Sequence, residues 1–466
     1  MRTNESGKRL LILLLSFLGI LMLTGIYAYT WIFAYHRRVI WNIKLYFWGH
    51  LLMVFIYFLL LFFFATTYGG MRIGYLKPMD VFFSQVFSLL CVNSITYFQF
   101  SIIEVKLVRA NGLIWMTGAQ ILVAGFWTWL CHLVYRKAFP PRDLLLIHGE
   151  RPIADILQKF ASRPDKYSIS QCLHVNIGLA EMERVILESG KAVVLWDIPA
   201  ADRNELLKFC YSHSIRIYMM PKITDVLIKG SDQLHLFDTP ILLSREYSLR
   251  LEQRIAKRAI DLFCSLVLII LSSPIWLITA VAIKLYDRGP VLYKQIRCTI
   301  GGREFGILKF RSMRVDAEKD GVARLAAKND SRITPVGKFI RAVRIDELPQ
   351  LLNILKGDMS FIGPRPERPE IIAQYMQEMP EFALRMKVKA GLAGYAQVYG
   401  KYNTTPYDKL KLDLSYIETY SLWLDIKLML LTLKILFRPE STEGIEENQT
   451  TAMKEQTGEE TKDETL

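Results

Sequence analysis

The sequence predicts a membrane protein in three parts. These are a four-helix transmembrane bundle, a Rossmann-like α/β middle domain, and a mostly α, monotopic domain entered through a Pro-broken re-entrant helix. Three observations carry this. Four uncharged apolar stretches, each longer than the ~20 residues that cross a bilayer, fill most of the first 135 residues. Short β-rich runs alternate with helical ones from Asp143 onward. A fifth uncharged apolar run, Leu262–Ile283, has a proline near its centre and basic residues at both ends.

With 466 residues, 52% of them hydrophobic, and a mean hydropathy of +0.21, the chain can bury several cores. It is neither a small secreted scaffold, nor fibrous, nor wholly disordered. Lys and Arg number 58 against 45 acids, a net charge of +13. The tail from Glu440 holds nine acids and two lysines. It lacks periodicity and reads as a disordered acidic tail over 439–466. The remainder is strongly basic and suits anionic partners such as nucleotides and lipid headgroups. The six cysteines (Cys91, Cys131, Cys172, Cys210, Cys264, Cys298) are scattered without a Cys-x-x-Cys pair. They read as free thiols rather than a zinc site or disulfide framework.

The apolar stretches Leu10–Tyr35, Leu45–Tyr68, Val81–Ile103 and Ala110–Tyr135 are expected to be four spans within residues 1–142. Flanking cations orient them. Arg2, Lys8, Arg9, Arg72, Lys77, Arg136, Lys137 and Arg142 fall on one side, and Arg37, Arg38, Lys44, Lys106 and Arg109 on the other. The excess places the N-terminus and everything after Arg136 in the cytoplasm.

Residues 143–250 read as an α/β layer. Leu144–Ile147, Ala192–Trp196 and Ile215–Met219 are apolar enough for buried parallel strands, and Ile153–Ala161, Leu179–Leu187 and Asp202–Tyr211 for the helices between them. His148-Gly149-Glu150-Arg151-Pro152 follows the first strand. It lacks the second glycine that lets a backbone approach a pyrophosphate, so a regulatory or assembly role is expected rather than cofactor binding.

Residues 251–438 open with the fifth apolar run. Ser272-Ser273-Pro274 interrupts it, and proline removes a helical donor and clashes with the preceding turn. Arg245, Arg250, Arg254, Lys257 and Arg258 precede the run, and Lys284, Arg288, Lys294 and Arg297 follow it. A simple span would put one cluster on the wrong face. A hairpin that enters and leaves on the cytoplasmic side satisfies both.

Beyond it, Lys309-Phe310-Arg311-Ser312-Met313-Arg314 places three cations in six positions. Arg341 and Arg344 then precede the pair Asp346-Glu347. With Pro349 close behind, that pair reads as a helix start, in which Asp346 is an N-cap and Glu347 complements the helix dipole. The alternative is chemical: a carboxylate among cations stays ionised, and can attack phosphorus or hold Mg2+.

Three strings resemble the bacterial sugar transferase family, the monotopic polyprenyl-phosphate phosphoglycosyl transferases. They are Lys309–Arg314; Arg344-Ile345-Asp346-Glu347-Leu348-Pro349-Gln350 through Gly363-Pro364-Arg365-Pro366; and Lys389-Ala390-Gly391-Leu392-Ala393-Gly394-Tyr395-Ala396-Gln397-Val398. The likeness runs from about Lys257 to Phe437. It implies transfer of a hexose 1-phosphate from a UDP-sugar to undecaprenyl phosphate, with release of UMP. It carries catalytic roles onto Asp346 and Glu347. Asp346 would attack the β-phosphate, and both would hold Mg2+. Arg365, framed by Pro364 and Pro366, matches a nucleotide-phosphate contact. Lys309, Arg311 and Arg344 are further substrate-binding candidates. Ser273 and Pro274 become the apex of the re-entrant helix. The implied setting is the bacterial inner membrane, with the catalytic domain on its cytoplasmic face. One departure is Tyr395, where the family often has tryptophan.

Leu422–Phe437 fits a helix lying in the membrane interface, with Lys427, Lys434 and Arg438 on one face; an ordinary amphipathic core helix is the alternative. An Asp-x-Asp motif, usual for transfer of a bare sugar, is absent from the sequence. The basic strings adjoin membrane segments, which favours lipid and nucleotide over nucleic acid. Four spans with an α/β module are consistent with a homodimer. The competing reading is a catalytically inactive membrane scaffold or sensor that binds a regulator.

Overall fold

The computed structural model describes residues 5–36, 46–244, 249–314, 332–400 and 404–436. It divides into two compact units, Met1–Met220 and Pro221–Leu466. Arg2, Arg37, Arg38, Lys44, Arg245, Arg438 and the tail 439–466 lie outside the described residues.

In the first unit, α1 (Glu5–Thr30, continued by a π-helical turn to His36), α2 (Phe47–Tyr68), α3 (Pro78–Glu104) and α4 (Asn111–Ala138) take up the four apolar stretches. All are long and apolar enough to cross a membrane, and the chain is a membrane protein. Local chemistry sets the ends: Pro78 occupies the first turn of α3, and Gly69 closes α2 in the left-handed conformation at φ 88°. The helices share buried polar bonds. Tyr57 Oη donates to Asn93 Oδ1 at 2.8 Å, Asn93 Nδ2 to Gln120 Oε1 at 2.9 Å, and Gln120 Nε2 to the Leu23 carbonyl at 3.0 Å. Such bonds hold helices together where the solvent is as apolar as the side chains.

An all-parallel sheet comes next: β1 (Arg142–His148), β2 (Tyr167–His174), β3 (Ala192–Trp196) and β4 (Ile217–Met219), in the order β2-β1-β3-β4. The intervening helices are α5 (Ala154–Ala161), α6 (Leu179–Ser189) and α7 (Ala200–Ser212). The three expected strands are present, and β4 begins at Ile217 rather than Ile215. β2 was not expected. It is an edge strand whose burial alternates, so it lacks the continuous apolar run that marks β1 and β3. The strand order reverses between β1 and β3. There the Gly149 amide donates to the Trp196 carbonyl at 3.0 Å, and a Cβ at position 149 would stand 2.2 Å from the Asp197 carbonyl oxygen. Only glycine allows the two loops to meet so closely.

The second unit begins at Pro221, so residues 221–250, expected in the α/β layer, belong instead to the C-terminal unit. The sheet ends at β4, and the apolar side of α8 (Ile223–Lys229) places Val226 in one core with Leu410 and Leu414. After the hairpin β5 (Asp232–Leu236) and β6 (Thr239–Leu243) comes α9 (Leu251–Asp287). The antiparallel hairpin β7 (Leu292–Cys298) and β8 (Glu304–Phe310) is followed by α10 (Pro335–Ala342), α11 (Gln350–Lys356) and β9 (Ser360–Ile362). Then come α12 (Pro369–Glu378), β10 (Gly391–Ala393, parallel to β9), α13 (Tyr395–Tyr399), α14 (Pro406–Glu418) and α15 (Leu422–Leu436).

The break expected at Ser273-Pro274 is not an interruption of the helical backbone, because α9 runs through it. Pro274 leaves the Ile270 carbonyl without an amide donor. The Ser273 hydroxyl supplies one instead at 2.8 Å. Both ends of α9 are anchored in the same unit. At its start, Lys257 Nζ donates to Asp425 Oδ2 at 2.6 Å, and Arg258 caps α11 through the Ile354 and Leu355 carbonyls at 2.6 and 2.7 Å. Asp261 Oδ1 accepts from Ser360 Oγ and the Phe361 amide, both at 3.0 Å. Near its end, Ile283 packs with Phe310 and Ile340, and Asp287 pairs with Arg311. Phe263, Leu271 and Leu277 between them are about 70% exposed.

α15 buries one side and exposes the other. Its charged inward residue is Asp425, buried with Leu428, where Tyr416 Oη donates to Asp425 Oδ1 at 2.7 Å. Trp423 and Leu433 remain on its exposed side.

Candidate active site

The dyad sits on a single 3-10 turn, Ile345–Glu347, between α10 and α11. α11 starts only at Gln350, with Pro349 at its N-cap position. Asp346 is therefore not the cap of that helix. Arg344 precedes the turn at φ 55°, a left-handed conformation costly for a residue with a side chain. The turn presents the two adjacent carboxylates in different surroundings.

Glu347 is enclosed by cations. Arg365 Nη2 donates to its Oε1 at 2.8 Å, Lys309 Nζ lies 3.7 Å from the same oxygen, and Arg344 Nη1 lies 3.9 Å from Oε2. Burial pushes its carboxyl up, but Arg365, Lys309 and Arg344 together outweigh that and hold it down at about 2. Asp346 goes the other way. Burial first, and the Glu347 charge second, raise it to about 6 against the pull of Lys309, Arg341 and Arg365. The sequence reading has its cations keep it ionised at neutral pH; with its carboxyl at about 6 it is so, though closer to its titration than a free carboxylate. Burial lowers the Lys309 ammonium, with Glu347 opposing.

β8 brings Lys309, the loop after β9 brings Arg365, and the strained turn brings Arg344. Pro364 and Pro366 frame Arg365 from the backbone: the Pro364 carbonyl accepts from the Gly391 amide at 2.9 Å and the Pro366 carbonyl from Arg297 Nη1 at 3.1 Å. Arg311 is not brought to the dyad. Its guanidinium is 7% exposed and paired with Asp287, because the strand has ended at Phe310 and the next side chain turns to the end of α9. Ser273 and Pro274 lie within α9.

Sequence reasoning missed the support behind Arg365. Glu367 pairs with Lys409, with Arg297 at 3.5 Å and with Arg385 at 3.8 Å. Arg385 Nη2 reaches both Asp413 Oδ2 at 2.7 Å and the Arg365 carbonyl at 3.0 Å. Burial pushes the Glu367 carboxyl up, yet Lys409, Arg385 and Arg297 hold it down at about 2. These residues are far apart in sequence and follow no short motif. The one available signal was acids and bases scattered through otherwise apolar helical runs.

Two adjacent carboxylates fit a hard cation that takes one or two protein carboxylates and completes its shell with phosphate oxygens and water. Among the described residues no group of three His, Cys, Asp or Glu side chains forms an all-protein metal cage.

The sequence model described as "Bacterial sugar transferase" matches residues 252–439. The chain is 33% identical over 325 residues to a UDP-N-acetylgalactosamine-undecaprenyl-phosphate N-acetylgalactosaminephosphotransferase of Aeromonas hydrophila, covering 68% of this chain and 71% of that protein. It is 41% identical over 190 residues to a UDP-glucose:undecaprenyl-phosphate glucose-1-phosphate transferase of Caulobacter vibrioides, covering 40% and 71%. An Escherichia coli protein of the same name is 39% identical over 210 residues, covering 44% of this chain and 43% of its own length. The chain belongs to the bacterial sugar transferase family.

Proposed function

We propose that the chain transfers a hexose 1-phosphate from a UDP-sugar to undecaprenyl phosphate, giving undecaprenyl-diphosphate-sugar and UMP, and so initiates a surface polysaccharide. The names of its relatives support the substrate classes. The observation that carries the chemistry is the divergence of the two carboxylates: Glu347 is locked by Arg365 at 2.8 Å, and Asp346 is left without such a lock. Neighbouring acids pushed apart in this way divide their roles. Asp346 is the nucleophile and Glu347 orders the surrounding cations.

In the first step an Asp346 carboxylate oxygen forms a bond to the β-phosphorus, and the bond from that phosphorus to the bridging oxygen breaks. UMP leaves with the electron pair. In the second, a phosphate oxygen of the lipid attacks the same phosphorus, the aspartyl bond breaks and the carboxylate is regenerated. Arg365 and Lys309 supply positive charge where the phosphoryl oxygens gather negative charge. Mg2+ would be held by Asp346 and Glu347 together with donor phosphate oxygens, and its chemistry there is charge neutralisation.

A lipid acceptor requires the site at headgroup depth. Anchoring both ends of α9 in one unit supports a re-entrant helix with its apex at Ser273-Pro274, because a straight 37-residue helix would extend roughly 55 Å. The site then lies on the cytoplasmic face of the bacterial inner membrane.

The test is nucleotide release from a panel of UDP-sugars by the purified full-length protein with undecaprenyl phosphate and Mg2+. Release of UMP that needs lipid and metal, and that is lost in Asp346→Asn, is the expected result. Release of UDP instead would mean that the sugar moves without its phosphate, and silence across the panel would leave a scaffold.

A further inference from the structure

The dyad and its cations account for the donor's phosphates and leave its base without a partner. Among the described residues Gln397, on α13, has neither Oε1 nor Nε2 in a hydrogen bond, although both atoms are shielded from solvent. A buried amide left unpaired weakens the fold, which is tolerable where a ligand completes it.

Its position ties it to the site. A Cβ on Gly394 would stand 2.6 Å from Gln397 Oε1 and 2.1 Å from the Gly363 carbonyl oxygen. Gly363 opens the loop whose Arg365 grips Glu347. The carboxamide therefore lies close to the base of the loop whose Arg365 bonds to Glu347. On the same short helix, Tyr395 and Tyr399 hold their rings 4.5 Å apart, with Tyr399 44% exposed. An amide offers an acceptor and donors side by side, the complement of an imide edge with adjacent N–H and C=O groups.

We propose that Gln397 reads the pyrimidine base of the donor: Oε1 accepts from the ring N–H and Nε2 donates to the neighbouring carbonyl. This rests on the UDP-sugar reading above and adds the residue that selects the base.

The experiment titrates UMP and ribose 5-phosphate into full-length wild type and Gln397→Met, a near-isosteric change that deletes the amide, and records the melting temperature of both. UMP affinity is expected to fall about tenfold or more in the variant, the cost of a lost hydrogen-bonding group in a site built for it. Ribose 5-phosphate binding should hold within about twofold, and the melting temperature should not drop, because the amide has no internal bond to lose. Equal losses for both ligands would overturn the proposal, since they would mean a packing role. Unchanged UMP affinity with altered discrimination between UDP-glucose and UDP-N-acetylglucosamine would also overturn it, placing the amide on the sugar. If wild type released no UMP from any UDP-sugar yet showed the expected Gln397-dependent preference for UMP, the base assignment would stand and the transferase reaction would fail.

Discussion

Arg365 donates to Glu347 at 2.8 Å across eighteen residues of sequence, and this bond joins the Pro-Arg-Pro loop to the turn that carries Asp346. It holds one carboxylate as a permanent anion and places a guanidinium beside the other. Replacing Arg365 with alanine should lower the rate of UMP release about a hundredfold or more. Lysine should recover only part of this, since a point charge does not reproduce the guanidinium fork. Initial rates at saturating donor decide it, and a loss under about threefold in the alanine variant would remove Arg365 from the site.

Asp346 titrates near 6, above its ordinary value of 3.8, and the sign of the consequence is definite. A carboxyl raised in the folded state favours folding while protonated. That contribution is full below about 4 and is lost as pH rises through about 6. Asp346→Asn should therefore be more stable than wild type at pH 8, by roughly 1–3 kcal/mol, with the gap closing toward pH 4. Thermal melts across that range test it. The wild-type rate of the first chemical step should rise through the same pH window.

Arg385 is 3% exposed and bonds to Asp413, to Glu367 and to the Arg365 backbone. Arg385→Met strands the buried Asp413 carboxylate, while Glu367 keeps Lys409 and Arg297, and this costs about 3–5 kcal/mol. Adding Asp413→Leu should return part of that stability without restoring the rate, because the support under Arg365 is still missing. Denaturant or thermal unfolding separates the two effects from turnover.

The placement of α9 is testable by labelling. In a background with the native cysteines replaced, Arg254→Cys and Arg288→Cys should both react with a membrane-impermeant maleimide in inside-out vesicles and neither in right-side-out vesicles. Labelling of the two from opposite sides would make α9 an ordinary span.

Much of the architecture could be read from residue order because it rests on local chemistry. The four apolar helices follow from uninterrupted hydrophobic length, and β3 falls on Ala192–Trp196 as read because a run buried on every residue announces itself. Where burial is one-sided the signal faded. β2 alternates and was missed, as was the hairpin of β7 and β8, whose cations lie on otherwise strand-like segments. At the site, the motifs nominated Asp346, Glu347, Lys309, Arg344 and Arg365, all of which the fold brings to one turn. They also nominated Arg311, which the fold sends to Asp287. Lys257 and Arg258, read as cations flanking a membrane segment, are internal: one is paired with Asp425 and the other caps α11.

The sequence by itself determined which segments are too apolar for water, which segments carry clustered cations, and which pair of acids lies among them. These are properties of residue type and spacing along one chain. Only the tertiary structure decided that Glu347 is held near 2 and Asp346 raised to about 6. It also decided that Glu367 and Arg385 brace the loop between them, and that the Gln397 amide has no hydrogen-bond partner among the described residues. The reason is physical: a carboxyl's proton affinity depends on desolvation and on charges within a few ångströms, and those are set by which distant segments the fold brings together.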